Sequence, residues 1–114
     1  MRTLRFLSLL CGILFACMGF AGEIDGMRFI HIGLEEGLSH STIFGINQDK
    51  EGNLWFATYD GFNKYDGYNF TVYRHQYKNP KSIASDITRC VVIDNDNRIW
   101  IGTREGLSLY NHRK

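Results

Sequence analysis

The chain has 114 residues, of which 44% are hydrophobic, 14% aromatic and 22% charged, with 12 glycines and a single proline. That balance excludes a disordered or collagen-like chain, and the length allows at most one small domain. A formal charge of +1 without any basic block lacks the cationic excess of proteins that bind by neutralising phosphates, so nucleic acid is not an expected partner.

The first 21 residues read as an export signal. Arg2 and Arg5 form a basic n-region, Phe6 to Phe20 is an uncharged apolar run, and Gly19-Phe-Ala21 supplies small residues for cleavage after Ala21. An uncleaved anchor and lipid attachment at Cys17, after Leu14-Phe-Ala16, are the alternatives; the uncharged run is short for a bilayer span. All three place the chain outside the cytoplasm. Removing the leader takes away Cys11 and Cys17, so residues 22–114 keep Cys90 alone, read as a small buried hydrophobe, and their net charge becomes −1.

The remainder repeats itself. Asp49-Lys-Glu-Gly-Asn-Leu-Trp-Phe-Ala-Thr-Tyr-Asp-Gly-Phe-Asn-Lys-Tyr-Asp66 aligns without gaps on Asp94-Asn-Asp-Asn-Arg-Ile-Trp-Ile-Gly-Thr-Arg-Glu-Gly-Leu-Ser-Leu-Tyr-Asn111, at an offset of 45 residues. The recurring positions include Asp49/Asp94, Trp55/Trp100, Thr58/Thr103 and Gly61/Gly106. Upstream, Ile43-x-x-Ile46 matches Ile87-x-x-Cys90, which places one extra residue, and hence a bulge, in the second copy before its Asp.

In chain order, Met27 to Leu34 reads as a lone outer strand, because Phe29 matches Phe70. Strands follow over 42–48, 54–58, 62–65 and 69–74. The turns between them are Asp49 to Asn53, with Gly52 free to take positive φ, then Tyr59-Asp-Gly61, then Asp66-Gly67. Four antiparallel strands per repeat make a propeller blade. Residues 42–74 are then a complete blade and 87–111 three strands of the next. Leu54 to Ala57 and Ile99 to Gly102 are continuously apolar because inner strands are covered on both faces; the small Ala57 and Gly102 suit close approach of a neighbouring sheet. The lone strand 27–34 would complete a closing blade, so the fold class is all-β, a partial propeller behind a signal helix.

Glu36-Gly-Leu-Ser-His-Ser-Thr-Ile43, Gln48-Asp-Lys-Glu-Gly-Asn-Leu-Trp-Phe-Ala-Thr58 and Ile99-Trp-Ile-Gly-Thr-Arg-Glu-Gly-Leu-Ser-Leu-Tyr110 together resemble the two-component regulator propeller repeat of hybrid histidine kinases. Ala57 stands where the family usually has Gly, and Asn97 replaces the Gly of the first turn, which bears on the turn geometry of the second copy. The resemblance implies a longer, inner-membrane-anchored and dimeric parent, with more blades and a kinase core. It also implies periplasmic sensing of oligosaccharides or similar small molecules, output through a phosphorelay, no cofactor, and no catalysis by this segment. A secreted propeller lectin or a glycan-active hydrolase or lyase is the alternative; a chain that oligomerises into a ring is a third.

Trp55 and Trp100 read as core residues rather than a sugar platform. Asp49 to Asn53 lacks the ligands of a calcium loop, and His31, His40, His75 and His112 have no metal-ligand spacing. Ser39-His40 carries no nucleophile-elbow pattern. What remains is geometric. Loops alternate between the rims of a blade, so connections 35–41 and 75–86 share a rim with the turns at Tyr59-Asp60 and Arg104-Glu105. Those four residues are the candidate ligand contacts, because the acid recurs while its neighbour varies.

Overall fold

The computed structural model describes residues 26–111; the export signal read at 1–21 lies outside them. The chain divides into two compact units at His31 and Ile32. Of the first, the described residues 26–31 form neither strand nor helix. The second unit holds seven strands: β1 (Ile43–Gln48), β2 (Leu54–Thr58), β3 (Gly61–Tyr65), β4 (Phe70–Tyr73), β5 (Thr88–Ile93), β6 (Ile99–Thr103) and β7 (Gly106–Tyr110). They form two antiparallel meanders, β1-β2-β3-β4 and β5-β6-β7. The all-β propeller reading holds, as one blade of four strands and one of three.

Each turn is set by local chemistry. Gly52 takes φ +92°, and Asn97, at the matching position of the second blade, takes φ +60°; Asn tolerates the left-handed region better than most side chains. The replacement of Gly by Asn therefore leaves the turn unchanged. Asp49 N–H bonds Asn53 O at 3.0 Å and Asp94 N–H bonds Arg98 O at 3.0 Å.

The two sheets pack face to face around Trp55, Phe62, Val91, Ile99 and Ile101, with Tyr73, Ile83, Ile93 and Tyr110 at the margin. Trp55 is fully buried, stacked on Phe62 at 5.3 Å and tilted against Tyr110 of the other sheet at 5.1 Å. Burying an aromatic of this size is worth roughly 4–6 kcal/mol as an upper estimate. Polar groups tie the sheets as well. Asn47 Nδ2 donates to Val91 O (3.2 Å), Thr58 N to Thr88 Oγ1 (2.8 Å), and Thr88 Oγ1 to the carbonyls of Thr58 and Gly61 (both 3.1 Å).

Residues 27–34 carry no strand among the described residues; the ladder expected for them is that of a closing blade and not of either of these two sheets, and Leu34 opens a 3-10 turn, Leu34–Glu36, whose Glu36 carboxylate accepts Gly33 N–H at 2.9 Å. Four expectations need correction. The bulge is not an insertion in the second copy. Ile43 pairs with Thr58 and Gly45 with Ala57, while Thr88 pairs with Thr103 and Cys90 with Gly102, so both blades are bulged, at Phe44 and at Arg89, and the 45-residue offset runs unbroken through β1 and β5. Cys90 is exposed, not buried. Its sulfur fills the space of its cross-strand partner, since a Cβ on Gly102 would lie 2.4 Å from Cys90 Sγ; Gly102 therefore accommodates its own sheet and not a neighbouring one. Gly45 is the residue that admits a neighbour, its Cβ direction ending 3.5 Å from Cys90 Cα. Finally, Trp100 is only half-buried. It lies on the far face of the second sheet with Cys90, Val92, Leu107 and Leu109, and in the first blade the same face is covered by its neighbour.

Candidate functional site

Two kinds of residue recur in each blade, and the structure separates them. The first kind holds the blade. Asp49 Oδ1 accepts the N–H groups of Glu51 and Asn53, both at 2.9 Å, and Oδ2 accepts Asn53 Nδ2 at 3.1 Å and the buried Trp55 Nε1 at 2.9 Å. In the second blade Asp94 accepts Asp96 N, Arg98 N, Arg98 Nε and Trp100 Nε1, at 2.8–2.9 Å. Burial pushes the Asp49 carboxyl up, but the bonds from Trp55, Asn53 and Glu51 outweigh it and hold the group below its ordinary value. The Trp100 bond, with Arg98 and Asp96 assisting against a desolvation cost, brings Asp94 down to about 2. A second device closes the opposite end of the strands. Thr58 Oγ1 donates to Gly61 O (2.7 Å) and accepts Asp60 N (3.1 Å); Thr103 does the same with Gly106 O (2.7 Å) and Glu105 N (3.2 Å). Gly61 and Gly106 occupy positive φ there. Asp49, Gly52, Trp55, Thr58, Gly61, Asp94, Trp100, Thr103 and Gly106 thus all form or brace the turns and corners of the two blades.

The second kind lies at the rim. His40, Tyr59, Asp60, His75, Asp86 and Glu105 surround an open cavity of about 610 Å³. The strand-to-strand connections and the tight turns thus meet at one rim, and three of the four candidate contacts line one cavity; Arg104 is exposed outside it. The linkage is backbone-made and repeats: Tyr59 N–H bonds Thr42 O, and Arg104 N–H bonds Ile87 O. Asp60 is engaged by Arg74 at 2.5 Å, an ion pair about half exposed on both sides and worth only ~0–1 kcal/mol. Asp86 accepts His75 N–H at 2.6 Å. His40 Nδ1 accepts Thr42 N–H at 2.9 Å, so its ring proton sits on Nε2, whereas His75 Nδ1 faces Ile83 O at 2.8 Å and must carry a proton. Glu105 is the cavity carboxylate without such an engagement of its side chain among the described residues.

His40, His75 and Asp86 were not singled out by sequence spacing, because their proximity arises from two connections far apart in the chain. Among the described residues no group of three or more His, Cys, Asp or Glu could hold a metal ion.

Stacked antiparallel blades locked by Asp–Trp turns define a β-propeller, and the comparisons with known proteins identify its repeat. Residues 37–60 and 82–105 each match the two component regulator propeller. Those two segments, one in each blade, carry its repeat. It is similar to the extracellular domain of the hybrid two component system BT3049 from B. thetaiotaomicron, at 40% identity and a TM-score of 0.66, over 73% of this chain and 12% of that one. A second extracellular domain from the same organism, of the hybrid two component system BT4673, matches at 29% identity and a TM-score of 0.56, over 63% of this chain and 10% of the other. A protein of Formosa agariphila named Histidine kinase P4 is 36% identical over 74 residues, which is 63% of this chain and 5% of the relative. The chain therefore spans a small part of each protein it resembles, and in the solved structures that part is extracellular.

Proposed function

We propose that this chain is the exported N-terminal part of the sensing propeller of a hybrid two-component histidine kinase. In that reading residues 1–21 direct export, residues 22–114 build periplasmic blades, and the segment 27–34 finds its ladder partner in the blade that closes the ring. A small ligand, of the oligosaccharide class, contacts the rim through Tyr59, Asp60, Arg104 and Glu105. Binding shifts the arrangement of paired sensors anchored in the inner membrane, and the kinase passes the change into a phosphorelay. Catalysis belongs to the kinase core and not to these blades.

The observation that carries the reading is the pair of repeat-matching sheets, stacked face to face, with 40% identity to an extracellular domain of a hybrid two component system. Phosphotransfer tests it. Membranes bearing the gene product at its full encoded length, incubated with radiolabelled ATP, should label a histidine to an extent that changes when oligosaccharides are added on the periplasmic side. A full-length product that labels no histidine, or whose labelling ignores a broad set of plant and microbial oligosaccharides, refutes it.

A further inference from the structure

The bulges mark a binding position that the rim turns alone do not reveal. A bulge residue leaves the alternation of its strand, so its side chain is released from packing against the neighbouring sheet and re-aimed. The two bulge residues are Phe44 and Arg89, equivalent by the 45-residue offset and different in chemistry, while the residues around them keep their framework roles. Phe44 is 44% exposed. The Arg89 guanidinium lies 5.5 Å from the centre of its ring. Phe44 continues to Tyr59 (centroids 6.4 Å) and Tyr59 to His40 (5.6 Å), giving a row of rings from the first inner strand to the rim cavity.

Charge distinguishes the two blades. Where the first blade has Phe44 and Tyr59, the second has Arg89 and Arg104, both exposed. Arg74 and Arg98 are held by Asp60, Asp94 and Asp96, but neither Arg89 nor Arg104 makes an ion pair with a described residue. Exposed, mutually tilted rings beside a guanidinium that rests on one of them and forms no ion pair with a described residue suit a ligand with an apolar ring face and an anionic substituent. The apolar face packs on the rings; the anion takes the guanidinium, which binds carboxylate or sulfate through paired N–H groups. On the far side of Tyr59 lie the cavity carboxylates Asp60, Asp86 and Glu105, which can accept hydrogen bonds from hydroxyls and disfavour a second anion there.

We propose that Phe44, Tyr59 and Arg89 form a site for an acidic oligosaccharide, a pyranose ring lying on Phe44 and Tyr59 with its carboxylate or sulfate on Arg89. This rests on the sensor reading above and adds the ligand class and two residues to it. The test is calorimetric titration of the extracellular segment, at the full length its gene encodes, with trigalacturonate, a sulfated glycosaminoglycan disaccharide and neutral maltotriose. One or both acidic probes should bind at least about tenfold tighter than maltotriose, and which of them does so identifies the anion as carboxylate or sulfate. Arg89→Gln should weaken that binding about tenfold or more, the scale of a lost charge-assisted pair. Arg89→Lys should fall between, and Phe44→Ala should weaken it several-fold. Arg89 is exposed, so its variants should keep the parent's unfolding midpoint. Failure of both acidic probes to bind, or equal affinity of Arg89→Gln and the parent, overturns the assignment. The phosphotransfer experiment is independent: binding that depends on Arg89 without any kinase response would refute the sensor reading and leave the site standing.

Discussion

The Asp–Trp turn offers the sharpest test of how a blade is held, because the same device occurs twice in different surroundings. Asp49→Ala removes the acceptor of four hydrogen bonds, of which one comes from a Trp55 indole with no exposure to solvent. That N–H has no water to turn to, and an orphaned buried donor costs about 1–3 kcal/mol. The turn N–H groups of Glu51 and Asn53 can rehydrate and add the modest net value of ordinary hydrogen bonds, so the total loss is about 2–4 kcal/mol. Asp94→Ala removes the equivalent acceptor, yet Trp100 is half-buried and its indole retains access to water, so the loss should be less than half as large. Urea unfolding of each variant, followed by tryptophan fluorescence and by hydrogen exchange over residues 49–55 and 94–100, reads both numbers. Equal losses at the two positions, or a loss below about 0.5 kcal/mol for Asp49→Ala, would refute the argument from the buried indole.

Further expectations follow from the same geometry. Gly61→Ala combines a φ of +109° with a new Cβ 3.2 Å from Ser39 Oγ and 3.3 Å from Val72 Cγ1, whereas Gly106→Ala has φ +120° but open space. The first should cost about 2–3 kcal/mol and the second about 1 kcal/mol; equal unfolding midpoints would show that the contacts do not matter. Gly102→Ala should cost about 1 kcal/mol by pressing on Cys90 Sγ, and Cys90→Gly in the same chain, which recreates the Gly45/Ala57 pair of the first blade, should restore the midpoint; additive losses would contradict the pairing. Asp49 and Asp94 both titrate below their ordinary value of 3.8 in the folded state, Asp94 at about 2, so the stability they confer is complete above about pH 4 and lost as pH falls toward 2. An unfolding midpoint flat across that window would disprove it. Residues 22–114 produced alone should self-associate through Val92, Trp100, Leu107 and Leu109, and Trp100→Glu should reduce this; a monodisperse monomer in sedimentation would count against it.

The blade was legible because its turn chemistry is dense. Asp-x-x-Gly-Asn, Asp-Gly and the Thr-x-x-Gly corner each fix a reversal, and between them continuous apolar runs leave little choice but inner strands. The register of β1 and β5 was not legible. Matching Ile43 to Ile87 is attractive on side-chain type, but the ladder sets Ile43 equal to Thr88, whose hydroxyl serves the neighbouring blade instead of the hydrophobic core. Cys90 was misjudged for a related reason: an apolar neighbourhood in sequence says nothing about whether another sheet covers it. At the rim, a constant acid beside a variable neighbour pointed to Tyr59, Asp60, Arg104 and Glu105, of which all but Arg104 line one cavity. The same criterion of variation on a fixed framework, applied to the correct register, would have found Phe44 and Arg89.

Thr88 carries a mechanical consequence. Its hydroxyl donates to Thr58 and Gly61 of the preceding blade and accepts from the Thr58 amide, at the corner where the rim turn begins. The Gly61 amide is also bonded to Asp86 of the connection that leads into β5. A force on the Tyr59-Asp60 turn therefore acts on two blades at once. Tied at both Thr88 and Asp86, the turn is coupled to the next blade, so a displacement imposed at the rim would be shared sideways rather than confined to one loop.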